Sequence, residues 1–187
     1  LGLPEPVLGG WMYAGAQELM KAVPDLKLAA AMFYPGNGLR RLDGESMTYY
    51  LIPAPADMNA YRKELEPFFR EARYAFGPDV VHIHGSEYPH SLAWVNACGA
   101  GNTAVSIQGL SSVCAGFYLG GISRRELVKF VTLRDLMRRD TLFAQQRRMK
   151  ARGRYERELF SKVGHVIGRT AWDRAHAWAM NPEARYH

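Results

Sequence analysis

Short apolar runs alternate with longer amphipathic stretches along this chain, and the sharpest run lies at residues 78–85, PDVVHIHG. The run is β-branched, short, and bounded by Pro78 and Gly85, which favours a strand over a helix. Its almost unbroken hydrophobicity predicts a strand buried on both faces, as in a parallel sheet. His82 and His84 are two positions apart, so they share one face, and His84 falls at the carboxyl end.

The remaining pattern predicts further strands and helices in alternation. Proline at 67 should kink or break one of the helices. Ser123 with Glu126 three residues later is the signature of a capping box, and Thr170 is placed to cap the last helix. The predicted strands cover residues 26–34, 47–52, 103–108 and 165–168, and the predicted helices cover 11–23, 60–76, 92–100, 123–137, 141–160 and 171–180.

This alternation of strands and helices predicts an α/β fold. Right-handed crossovers would build a doubly wound, Rossmann-like parallel sheet with helices on both faces. A length of 187 residues suits one domain spanning residues 1–187. Because no strand pattern precedes the glycine-rich turn at residues 8–10, we expect the sheet to lack its first strand and to have an open edge there.

Polar turns follow three of the predicted strands. Parallel strands end at the same edge of a sheet, and ligands of open α/β sheets bind outside that edge. We therefore expect these turns to form a ligand crevice. Their candidate binding residues are Gly85, Ser86, Glu87, Gln108, Gly109, Arg169 and Thr170.

The net charge of +6 is concentrated in one segment. Residues 121–158 hold 12 Lys and Arg against 5 Asp and Glu, whereas the rest of the chain holds 12 against 13. Because the positive charge is confined to this segment, it does not indicate a nucleic-acid-binding protein. Apolar residues between the cations leave two interpretations: a helix on an anionic membrane surface, or a stripe covering the sheet with solvated arginines. The candidate membrane-facing cations are Arg124, Arg125, Lys129, Arg138, Arg139, Arg147, Arg148 and Lys150, followed by Arg152 and Arg154.

Two cysteines without metal-binding spacing suggest reduced thiols and a cytoplasmic protein, peripheral to the inner face of the membrane if the basic segment docks there. No apolar run approaches the roughly 20 residues of a membrane-spanning helix.

Several common sites are disfavoured. Gly9, Gly10 and Gly15 do not complete the G-x-G-x-x-G fingerprint, which argues against a nicotinamide dehydrogenase. The chain has no phosphate-binding G-K-[ST] and no G-x-S-x-G nucleophile elbow. His82, His84 and His90 have no cysteine or aspartate placed beside them, so we predict no metal site and no cofactor.

Three stretches together carry a family resemblance: Gly9-Gly10 before a helix, residues 78–85, and residues 166–173, VIGRTAWD. With them the chain resembles the N-terminal domain of a retaining, nucleotide-sugar-dependent glycosyltransferase of the two-Rossmann-domain (GT-B) type. It looks like the bacterial family-four, or "group 1", transferases, which act in polysaccharide and cell-envelope glycan synthesis. The resemblance implies that this domain binds a saccharide or lipid-linked acceptor. A C-terminal domain, which this sequence lacks, would bind the nucleotide sugar, so we expect the chain alone to be inactive.

The resemblance also assigns roles to residues. It makes His84 the active-site histidine and brings Gly9 and Gly10 close to the donor phosphates. Glu87, Gln108 and Arg169 become candidate acceptor contacts, although turn-forming roles fit them equally well. The resemblance implies a front-face mechanism, in which the leaving phosphate helps to deprotonate the acceptor.

Two other classes of protein remain open. A nucleotide-sugar epimerase of the same architecture should place several carboxylates in the cleft, and only Glu87 is well placed. A non-catalytic α/β binding module is the second alternative. Of the two histidines, we predict His84 to be functional and His82 to be a hydrogen-bonded, neutral imidazole of the core, covered by a helix.

Overall fold

The computed structural model describes residues 10–187 of the chain. They divide into two compact units, one reaching Ala54 and the other running from Pro55 to His187. Gly9, predicted to approach a donor phosphate, lies outside the described residues.

The first unit is a helix followed by a three-stranded sheet. Its strand β3 (Thr48–Pro53) is central. It pairs in parallel with β1 (Ala29–Tyr34) and antiparallel with β2 (Arg40–Asp43). The middle of β3, at Tyr50, Leu51 and Ile52, is buried. The sequence did not predict β2, because its four residues, RRLD, are all exposed and carry no apolar alternation. The elements are α1 (Gly10–Ala22), β1 (Ala29–Tyr34), β2 (Arg40–Asp43) and β3 (Thr48–Pro53).

The second unit contains a four-stranded sheet flanked by helices. All of its neighbouring strands are parallel. Their order across the sheet is β4 (Val81–His84), β5 (Thr103–Ser106), β6 (His165–Ile167) and β7 (Arg185–Tyr186). This arrangement confirms the predicted Rossmann-like α/β fold. After a 3₁₀ turn at Lys63–Leu65, its elements are α2 (Glu66–Phe76), β4 (Val81–His84), α3 (Pro89–Cys98), β5 (Thr103–Ser106), α4 (Ser111–Phe117), α5 (Arg124–Lys129), α6 (Leu133–Met137), α7 (Leu142–Lys162), β6 (His165–Ile167), α8 (Ala171–Met180) and β7 (Arg185–Tyr186).

The core of the second unit joins its sheet to its helices. Val105 of β5 and Val166 of β6 are fully buried in the middle of the sheet. Leu92 of α3, Phe160 of α7 and Ala177 of α8 pack in the same cluster. Burial of these apolar side chains fixes the positions of the strand ends.

The strand β4 differs from its prediction. Among residues 10–187 it lies at the end of the four-stranded sheet and pairs with β5. Val80 is 73% exposed, and His82 and His84 are exposed as well. The prediction that this strand is buried on both faces is therefore wrong: the β-branched run reflects strand propensity rather than a central position.

Several predicted helix ends are confirmed by hydrogen bonds. Ser123 and Glu126 form the predicted capping box at α5. Thr170 caps α8 in a capping box with Asp173. Pro67 lies in the first turn of α2, where its missing N–H is harmless, so it begins the helix and does not kink it.

One predicted helix is in fact two. Residues 123–137 form α5 and α6, because a second capping box, between Thr132 and Asp135, starts a new helix. The sequence patterns predicted neither α4 nor β7. Both are short, and their residues gain stability from packing and strand pairing rather than from a local pattern.

Candidate active site at the carboxyl ends of β4 and β5

A cavity of about 340 Å³ opens beyond the carboxyl ends of β4 and β5. Its wall includes His84 and two of the residues predicted from the polar turns, Glu87 and Gly109, together with side chains of α4 and α7. The lining residues are His84, Glu87, Tyr88, Gly109, Leu110, Ser111, Cys114, Met149 and Arg152. The ends of β4 and β5 thus border one concave site, whereas the turn after β6 does not line it.

Glu87 is held between two glycines in the wall of this cavity. A Cβ at Gly85 would overlap Glu87 Oε2, and one at Gly109 would lie 3.4 Å from Glu87 Oε1. Gly85 also has φ = +101°, which side chains rarely allow. The carboxylate of Glu87 therefore occupies the space that a side chain at Gly85 would need.

The environment of Glu87 favours its protonated form. Burial raises the pKa of the Glu87 carboxyl, and the nearby Glu156 carboxylate raises it further. Backbone hydrogen bonds and the positive charge of Arg152 act in the opposite direction but do not reverse the shift. The carboxyl group can therefore exchange a proton closer to neutral pH than an ordinary glutamate does.

His84 and His82 lie side by side on one face of β4. Their ring centroids are 4.0 Å apart, and His82 Nε2 hydrogen-bonds to Ser106 Oγ of β5. Partial burial lowers the pKa of both imidazoles, and the charge of His82 lowers that of His84 further. Both rings are consequently neutral at pH 7, but the prediction that His82 is a core residue under a helix is wrong, since it is exposed.

Ser86 has a structural contact rather than an open position in the cleft. Its side chain is buried and donates a hydrogen bond to Glu156 Oε1 at 2.8 Å. The same carboxylate accepts from the backbone N–H of Ser111 at 3.1 Å and of Ser112 at 2.6 Å. Glu156 of α7 thereby ties the loop after β4 to the amino end of α4.

The remaining predicted residues lie at the same edge of the sheet but not in the wall of the cavity. Arg169 donates from Nη2 to the carbonyls of Ile107 at 3.5 Å and Gln108 at 3.4 Å. Gln108 is exposed. Thr170 Oγ1 accepts from the N–H of Asp173 at 3.1 Å, which makes it a helix cap. In the first unit, Gly10 begins α1.

Sequence reasoning missed two side chains that shape the cavity. The guanidinium carbon of Arg152 lies 4.7 Å from the ring centre of Tyr88, a cation–π contact. The ring of His90 stacks on that of Tyr88, with the ring centroids 5.8 Å apart. Burial lowers the pKa of His90 to about 4. Tyr88 directly follows Glu87, which the sequence had singled out; Arg152 is distant in sequence and was grouped with the candidate membrane-facing cations of the basic segment.

The site combines a neutral imidazole, a carboxyl of raised pKa and a guanidinium on an aromatic ring. Such groups can hydrogen-bond hydroxyls and attract an anionic group. Within residues 10–187, no three His, Cys, Asp or Glu side chains are grouped as metal ligands, and no helix is long and apolar enough to cross a bilayer. Neither a family model, nor a curated protein, nor a solved structure matches this chain.

Proposed function

We propose that the chain is the acceptor-side domain of a retaining GT-B glycosyltransferase, which transfers a sugar from a nucleotide sugar to a saccharide or lipid-linked acceptor. One observation supports this best. His84, which the resemblance marks as the active-site histidine, shares a cavity at the carboxyl edge of a parallel sheet with Glu87 of the following loop.

The proposed roles follow from the state of each group. Neutral His84 can accept from or donate to a sugar hydroxyl near the reacting carbon. The carboxyl of Glu87 can hydrogen-bond the acceptor in either protonation state. Arg152 on the face of Tyr88 offers a positive charge beside a flat apolar surface, which suits a sugar ring or an acceptor phosphate.

The reaction that we propose exchanges one bond to the anomeric carbon for another. The bond from this carbon to the phosphate oxygen breaks, a bond to the acceptor oxygen forms on the same face, and the acceptor proton passes to the leaving phosphate. The domain that the resemblance implies for the donor would hold the nucleotide. Residues of this chain hold and orient the acceptor and exclude water.

An epimerase is less well supported by the same site. Proton abstraction from a sugar carbon by such an enzyme would call for several carboxylates in the cleft. Among the described residues lining the cavity, Glu87 supplies the only carboxylate. Glu156 is buried and already accepts hydrogen bonds from three donors.

The test is a turnover assay with a panel of nucleotide sugars and an extract of glycan and lipid acceptors. The assayed protein joins this chain to the donor-binding domain, and the 187-residue chain alone is the control. We expect the joined protein to release the nucleotide and form a glycoside that retains the donor's anomeric configuration, and the chain alone to release none. Epimerisation of the sugar while still attached to its nucleotide, or turnover by the chain alone, would contradict the proposal.

A further inference from the structure

Apolar side chains on and beside α5 and α6 are exposed to an unusual extent. Phe130 is 79% exposed, Met137 74% and Leu133 73%. Val128 and Leu136 are exposed by 61% and 59%. Leu133, Leu136 and Met137 are three and four positions apart and so share one face of α6, and an exposed apolar face is typical of an interaction surface. We call these five residues, with the cations Arg124, Arg125, Lys129, Arg134, Arg138 and Arg139, the α5–α6 surface.

The exposure separates the two interpretations that the sequence left open. If the apolar stripe covered the sheet, its side chains would be buried, yet Leu127 is the buried residue of α5 and α6 has none. Leu127 and Phe130 instead line a groove of about 290 Å³ together with Leu142 and Phe143 of α7. The segment therefore borders α7 through Leu127 and Phe130, and most of its other apolar side chains remain exposed.

The carboxylates of this segment are occupied by local contacts. Glu126 accepts from the backbone N–H and hydroxyl of Ser123, and Asp135 accepts from the N–H of Thr132. Asp140 forms an ion pair with Arg148 of α7, which removes Arg148 from the candidate membrane-facing cations. Within the described part of the chain, none of the six cations of the α5–α6 surface forms an ion pair. In this segment the six cations outnumber the carboxylates of Glu126, Asp135 and Asp140.

We propose that the α5–α6 surface docks on an anionic lipid bilayer. The apolar side chains would enter the boundary between headgroups and acyl chains, while the arginines and Lys129 contact lipid phosphates. Charge complementarity identifies this partner: cations interleaved with large apolar residues match a surface that is anionic outside and apolar beneath. A nucleic-acid backbone would leave Phe130, Leu133 and Met137 without a partner. The proposal does not depend on the transferase activity.

Co-sedimentation with lipid vesicles tests the proposal directly. The vesicles are phosphatidylcholine alone, or phosphatidylcholine with phosphatidylserine, at low and high salt. We expect binding to the anionic vesicles only, weakened by salt. The combined variant R124Q/K129Q/R138Q should bind them about a hundredfold more weakly, because each cation strengthens binding to an anionic lipid surface about fivefold. The variant F130S/L133S should bind at least about tenfold more weakly.

Matched control variants remove the same groups from other surfaces. R73Q/R157Q/R185Q removes three exposed arginines outside the α5–α6 surface, and Y74S/V80S removes two exposed apolar side chains. Both should bind anionic vesicles within about threefold of the wild type. Equal binding to neutral and anionic vesicles, no binding to either, or equal losses in the controls would overturn the proposal. Self-association that F130S/L133S abolishes, without vesicle binding, would assign the surface to a protein partner instead.

Discussion

The absence of side chains at Gly85 and Gly109 decides the geometry of the candidate active site. The carboxylate of Glu87 fills the volume that the side chains of Gly85 and Gly109 would need. The sequence placed His84 and Glu87 at this edge, where both line the cavity, because their position at the end of a strand is a local feature. It did not indicate Arg152 or Glu156, because only tertiary packing brings these α7 residues to the strand ends.

Replacing Gly85 with alanine should therefore disturb both backbone and site. The substitution places a Cβ at φ = +101° and into contact with Glu87 Oε2. We expect the free energy of unfolding to fall by about 1–3 kcal/mol in chemical denaturation. Gly116→Ala is the control: it lies in α4 with open space around its Cα, and should be neutral or stabilising. Equal stabilities of the two variants would contradict the tight fit around Glu87.

The raised pKa of Glu87 predicts a pH-dependent effect on stability. A carboxyl whose pKa is higher in the folded state stabilises the fold below its unfolded pKa, and this contribution is lost as the pH rises through the folded pKa. Glu87→Gln removes the ionisation. We expect the variant to melt up to about 2–4 °C above the wild type at pH 7 and to lose this advantage at pH 4. A melting-temperature difference that is the same at both pH values would contradict the shift.

At the scale of elements, the sequence predicted best what local hydrogen bonds determine. The caps at Ser123 and Thr170 were predicted from side chains that bond their own first turn. The split between α5 and α6 was missed although Thr132 and Asp135 form a similar box, because the apolar spacing continues across the break. The strand β7 has two residues and depends on pairing with β6, which no local pattern reveals.

The contact between α4 and α7 depends on Glu156. Its carboxylate is almost fully buried and accepts from Ser86, Ser111 and Ser112. Glu156→Ala removes the acceptor of the Ser111 and Ser112 backbone N–H groups and leaves Ser86 with the Gly109 carbonyl alone, so we expect a loss of about 3 kcal/mol in the free energy of unfolding. Glu158→Ala is the matched control on the same helix, because Glu158 is exposed and pairs only with Lys162, four residues on. Its loss should stay below about 0.5 kcal/mol, and a similar loss in both variants would refute the role of Glu156.

At the scale of the whole molecule, alternating strands and helices were enough to predict a parallel α/β sheet, because crossover geometry allows few other arrangements. The order of the strands was not predictable from that pattern. The strand β4 was expected to be buried on both faces, whereas it lies at the end of the described four-stranded sheet and its burial alternates along the strand. Both of its histidines are exposed, and His84 lines the cavity.

The proposed transferase makes His84 the functional histidine, with His82 as its natural control on the same face of β4. The most direct test measures kcat for sugar transfer in the protein that joins this chain to the donor-binding domain. We expect His84→Ala to lower kcat by about 10²–10⁴-fold with little change in melting temperature. His82→Ala, which loses an exposed ring and its bond to Ser106, should lower kcat by less than about tenfold. A near-wild-type kcat for His84→Ala, or a larger loss for His82→Ala, would contradict the assignment of this cavity as the active site.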